Sequence, residues 1–161
     1  MRGDQFSYES GSDSALYYYR KALAIARKSN SILRTVWMLD AITGEALRSE
    51  DTLSARKYNI ELKKIASLHD LKHFAANALF NEAEILYARQ QYVNALQFYL
   101  KGLSMEKDLS IVYLLKVSEY HLRIGDCHFK LQDSGQAKKY YSLALKNTQE
   151  INASFFETLQ T

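Results

Sequence analysis

The residues able to do chemistry are few and scattered. His69 and His73 stand four apart, so one helical face would hold both. A zinc site needs further ligands, and the helical protease pattern needs a glutamate between the histidines. Asp70, Leu71 and Lys72 fill that interval, at a junction between helices, so no metal is expected. His121 and His128, seven apart, read as packing residues. Cys127 follows Asp126, whose negative charge opposes the electropositive setting that a reactive thiolate requires. Glu82 and Glu84 do not by themselves make an acid–base pair. Gly44, Gly102, Gly125 and Gly135 are isolated, and no phosphate loop, dinucleotide fingerprint or nucleophile elbow is present. The expectation is a protein without catalytic activity, cofactor or metal.

Composition narrows the class. Hydrophobic residues make up 47% of 161, enough for a packed core and too many for a disordered chain. There is no proline, which favours long uninterrupted helices. Basic and acidic residues, 21 and 18, are interspersed and leave a net charge of +3, so neither nucleic acid nor membrane is indicated as a partner. A lone cysteine suits a reducing compartment, and the polar first residues lack the apolar core of a signal peptide. A cytoplasmic location is expected. Arg2-Gly3-Asp4 spells an adhesion tripeptide, read here as chance.

Apolar residues recur three and four apart along most of the chain. After a flexible leader over 1–11, Ser12-Asp13-Ser14 offers a helix cap. Breaks at Lys28–Asn30, Ser49–Thr52, His69-Asp70, Gln90-Gln91, Lys107-Asp108 and Asp133–Gly135 divide 12–150 into helices. The tail, 151–161, with Phe155, Phe156 and Leu159, reads as a tail or the start of a capping helix. Ala15, Ala55, Ala95 and Ala137 fall 40, 40 and 42 residues apart, each followed three on by an aromatic: Tyr18, Tyr58, Phe98 and Tyr140. Seven residues after each alanine stands Ala22, Leu62, Gly102 or Ala144. Small residues let helices approach, and aromatics fill the space beside them.

This pattern resembles the tetratricopeptide repeat in a long-period variant. Leu122, Ile124-Gly125, Phe129, Ala137, Tyr140-Tyr141 and Ala144-Leu145 carry the resemblance best, followed by Phe80-Asn81, Ala83, Leu86-Tyr87, Tyr92, Ala95, Tyr99 and Leu103. The period exceeds the usual ~34 residues, and the consensus proline is absent. The resemblance implies an all-α right-handed superhelical solenoid of about seven helices in antiparallel pairs. The repeats run over about 31–68, 70–107 and 110–149, preceded by a lone second helix over 12–29 that suggests a fragment or a boundary inside a repeat. Similar long repeats occur in bacterial sensor kinases and transcription regulators.

The same resemblance implies a concave groove lined by the first helix of each pair. Its expected members are Trp37 and Asp40; Asn77, Phe80, Asn81, Glu84 and Tyr87; and Glu119, Leu122, Arg123, Asp126, Phe129 and Lys130. Asn amides would hold a peptide backbone, Arg123 a carboxylate, and Phe80 and Tyr87 apolar side chains. The chaperone-tail clamp of some family members is not expected, because Asp40, Gly44 and Glu119 replace its basic and amide positions. The expected function is binding of a partner's peptide or helix. The alternatives are a peptide-sensing segment of a larger bacterial regulator and a fragment that self-associates through its end helices.

Overall fold

A computed structural model describes the backbone of residues 4–106 and 111–158 and the side chains of 14–106 and 115–153. The Lys107-Asp108 break, Arg2 and Gly3 of the tripeptide, and the side chains of Phe155, Phe156 and Leu159 lie outside the described residues. Seven helices follow one another: α1 (Asp4–Lys28), α2 (Ile32–Arg48), α3 (Thr52–Leu68), α4 (Lys72–Ala88), α5 (Tyr92–Met105), α6 (Ile111–Lys130) and α7 (Ser134–Thr158). Each packs antiparallel on the next, and α2 also meets α4. There is no sheet among the described residues.

Two boundaries differ from the sequence expectation. Helix α1 begins at Asp4, so Ser12-Asp13-Ser14 lies inside the helix and not at its start. Helix α7 runs unbroken to Thr158, so residues 151–158 extend it instead of opening a new helix. No proline interrupts either stretch.

Helix length sets the repeat period. Helices α2, α3 and α4 have 17 residues each, and three-residue junctions start α2, α3, α4 and α5 20 residues apart. Five of the six junctions turn on one residue in the left-handed region: Asn30, Glu50, Asp70, Gln90 and Gln132, with φ between 50° and 62°; the junction between α5 and α6 lies largely outside the described residues. The N–H that follows bonds back across the helix end, as in Ser31 to Ala26, Asp51 to Ala46, Gln91 to Leu86 and Asp133 to His128. This is the Schellman closure, in which orphan carbonyls of the last turn find donors. Asp51 and Asp133 then cap the next helix by accepting the N–H of Ser54 (3.0 Å) and Gln136 (3.1 Å). Of the turn expected over Asp133-Ser134-Gly135, only Asp133 lies in the junction; the left-handed residue is Gln132, and Ser134 and Gly135 sit within the first turn of α7.

The repeat alanines lie at helix contacts. Ala55 and Ala95 are fully buried, Ala137 nearly so, and Ala15 partly. One core cluster joins Leu23, Val36, Leu39, Ile42, Leu62 and Phe74; a second joins Phe80, Tyr99, Tyr120, Ile124 and Cys127. Gly125 leaves room for Tyr141, since a Cβ there would meet the ring at 2.6 Å. Gly102 does the same for Tyr120, at 2.8 Å from Cε1.

Candidate functional site

Helices α2, α4 and α6 stand side by side and line an open groove of about 510 Å³. Helix α2 supplies Asp40, Ala41, Gly44, Leu47 and Arg48, successive positions on one face. Helix α4 supplies Asn77, Phe80, Asn81 and Glu84, and α6 supplies Lys116, Glu119 and Arg123. Tyr19 of α1 closes one side.

The groove's polar groups are paired across the helices. The Asp40 carboxylate accepts from both Asn77 and Asn81, at 3.0 Å each, and so ties α2 to two successive turns of α4. Glu84 accepts from the Tyr99 hydroxyl behind it and pairs with Arg123 of α6 at 2.9 Å. Burial raises the Glu84 carboxyl above its ordinary value, against the opposing pull of Arg123. Lys116 lies over the Phe80 ring at 3.8 Å and pairs with Glu119 at 3.0 Å. Phe80 in turn meets Tyr99 and Tyr120 edge to face, with centroids at 5.3 and 5.0 Å. The walls thus carry acids Asp40, Glu84 and Glu119 interspersed with bases Arg48, Lys116 and Arg123.

Of the thirteen residues expected in the groove, seven meet there: Asp40, Asn77, Phe80, Asn81, Glu84, Glu119 and Arg123. Their roles differ from those expected. Phe80 is 5% exposed and forms a wall under Lys116, so it is no free anchor. Asn77, Asn81 and Arg123 spend hydrogen bonds on Asp40 and Glu84.

The other six fall elsewhere. Trp37 is exposed and packs edge-on against Phe74 at 5.7 Å. Tyr87 meets Tyr92 of α5 at 5.2 Å. Asp126 accepts the Tyr141 hydroxyl at 2.9 Å. Phe129 borders a depression with α7, while Leu122 and Lys130 are exposed. Tyr19, Ala41, Gly44, Leu47, Arg48 and Lys116 line the groove but were not among the expected members. Helical spacing alone points to four of these: Ala41, Gly44, Leu47 and Arg48 share the α2 face of Asp40.

The remaining chemistry-bearing residues have structural neighbours. His121 and His128 both face Tyr140, the latter stacked at 5.6 Å. His73 approaches Glu106 at 3.5 Å, and His69 ends α3. Burial and the adjacent Asp126 push the Cys127 thiol up to about 12, which keeps it protonated near neutral pH. No described helix is long and apolar enough to cross a membrane. Comparison of the chain with protein-family models and with curated protein sequences gives no match.

Proposed function

We propose that this chain is a non-catalytic interaction module of the tetratricopeptide type, a right-handed solenoid that takes a peptide or helix of a partner protein along the α2–α4–α6 groove. The observation that carries this reading is that three successive first helices contribute to one open groove. The 20-residue rhythm of the helices and the paired antiparallel packing support it. A groove pinned by Asp40–Asn81 and Glu84–Arg123 is preorganised, so little ordering cost falls on binding. Its alternating charges favour a segment of mixed charge over a run of one sign.

Gly44 supplies the test. It lines the groove, and a Cβ there has only Arg48 within reach, at 3.9 Å. Gly44→Trp therefore fills the groove without disturbing the core, while Gly44→Ala leaves it open. Peptides selected from a display library by the wild-type protein should be retained by Gly44→Ala and lost by Gly44→Trp. Failure to select any peptide, or equal retention by both variants, counts against the groove.

A further inference from the structure

The end of the stack formed by α6 and α7 repeats an interior surface that α6 itself covers one repeat earlier. On α4 the groove-side position is Phe80, 5% exposed because Tyr120 and Lys116 of α6 lie over it. Its equivalent on α6, 42 residues on, is Leu122, which is 46% exposed. Leu115 and Phe129 stand seven residues to either side on the same stripe, and both are exposed, Phe129 by 63%. Phe129 and the exposed Leu145 border a depression of about 350 Å³ between the two helices. The polar positions repeat as well. Glu84 takes the Tyr99 hydroxyl and the Arg123 guanidinium of the next helix. Its equivalent Asp126 takes the Tyr141 hydroxyl and lies 3.6 Å from Arg123 of its own helix.

We propose that the α6–α7 end face docks an amphipathic helix of a partner protein, seated as α6 seats on α4 and α5. The interior junction gives the register. Tyr120 covers Phe80 and, three residues on, Arg123 reaches Glu84. The docking helix accordingly places an apolar residue over Leu122 and an arginine or lysine three residues later on Asp126. The size of the apolar residue follows from its neighbour on the second helix. Gly102 admits Tyr120, and the bulkier Leu62 shares its core with the small Ala78. Ala144 stands at the same position of α7 and calls for a side chain between these, of leucine or methionine size.

A second copy is the poorer occupant. On α1 the exposed face includes Tyr18, whose equivalents Tyr58, Phe98 and Tyr140 are partly buried. Tyr140 is covered by His121 and His128 of its own first helix, so α1 too presents a surface that a first-type helix would cover. Two faces that each fit the same kind of helix do not complete one another.

The probe is a fluorescein-labelled, end-capped peptide with the α6 sequence Ile111–Lys130 carrying Tyr120→Leu, titrated with the full chain and read by anisotropy. Saturable binding is expected. It should weaken by about tenfold or more on introducing Phe129→Glu with Leu145→Glu into the protein, or Arg123→Glu into the peptide, and should be unchanged in Gly44→Trp. Both protein positions are exposed, and retained helical circular dichroism verifies the fold. Absence of saturable binding, binding that survives the double substitution, or loss in Gly44→Trp would overturn the proposal. So would a concentration-dependent dimer of the wild-type chain that Phe129→Glu with Leu145→Glu abolishes, since the face then belongs to a second copy.

Discussion

Tyr141 donates its hydroxyl to Asp126 at 2.9 Å, fifteen residues back on the preceding helix, and Tyr99 makes the same bond to Glu84. Each bond links the two helices of a pair at the position four residues after the repeat alanine. In the preceding pair Gly44 and Asn59 hold these places, and Asn59 instead donates to the Ala78 carbonyl of α4 at 2.9 Å. One repeat position thus holds the pair together twice and joins neighbouring pairs once. Hydrogen bonds to charged groups contribute roughly 1.5–3 kcal/mol when buried. Tyr141→Phe should therefore cost about 1.5 kcal/mol and Tyr99→Phe about 2–3, the larger value because Tyr99 is fully buried while Tyr141 is only partly so. Urea denaturation of the two variants gives the order directly.

The glycines divide by what they face. Gly102→Ala and Gly125→Ala drive a methyl into Tyr120 and Tyr141 and should each destabilise by about 1–3 kcal/mol. Gly44→Ala meets nothing within ordinary contact distance except Arg48 and should stabilise by about 1 kcal/mol, the helix-propensity gain. Exchanging sizes across the α5–α6 contact, as Gly102→Leu with Tyr120→Ala, imitates the Leu62 and Ala78 arrangement. The double variant should be more stable than the sum of the single losses predicts, with coupling of about 1 kcal/mol or more. It will not recover wild-type stability, because Tyr120 also donates to the Ala76 carbonyl at 2.9 Å. Additive losses would sink the size-exchange argument.

The helical architecture is legible in the sequence because the information is local. Ala55, Ala95 and Ala137 mark helix contacts by residue type, and the junctions fall where Asn30, Asp70 and Gln90 interrupt the apolar period. The groove is less legible for a physical reason. Asp40 and Asn81 are 41 residues apart, and their meeting depends on how one pair rotates on the next, which spacing within a helix does not encode. The same rotation hides Phe80 beneath Lys116 and leaves Phe129 at the end face. Gly135 misleads as a turn signal because the left-handed position is taken by Gln132, a residue with no special preference for it.

That choice of residue predicts a stabilising substitution. A left-handed conformation costs a side-chain-bearing residue roughly 1–2 kcal/mol, and glycine avoids this at an entropic cost of about half as much. Glu50→Gly, Gln90→Gly and Gln132→Gly should each stabilise by about 0.5–1 kcal/mol, with little change in the denaturant slope. Glu50→Ala and Gln90→Ala serve as controls, since alanine keeps the Cβ and its strain. If alanine stabilises as much as glycine, the closures do not carry strain at these residues.

The pH dependence of stability should carry two opposed signs. His121 is partly buried against Tyr140, with Asn147 at 3.4 Å from its Nδ1, and burial lowers its pKa below the ordinary 6.5. The folded chain then resists a proton that the unfolded chain accepts. The histidine's contribution is complete above 6.5 and is lost as pH falls from there through the lowered folded value. Glu84 runs the other way. Burial raises its pKa above 4.5, so its contribution is complete below 4.5 and declines as pH rises through the raised value. Acidification should therefore weaken the fold through His121 and strengthen it through Glu84. Urea midpoints measured from about pH 7.5 to about pH 4.5 should carry both contributions. His121→Gln, which keeps a hydrogen-bonding side chain but does not titrate, should remove the destabilising one, and Glu84→Gln the stabilising one. A pH profile unchanged by His121→Gln would place the responsible proton on another group.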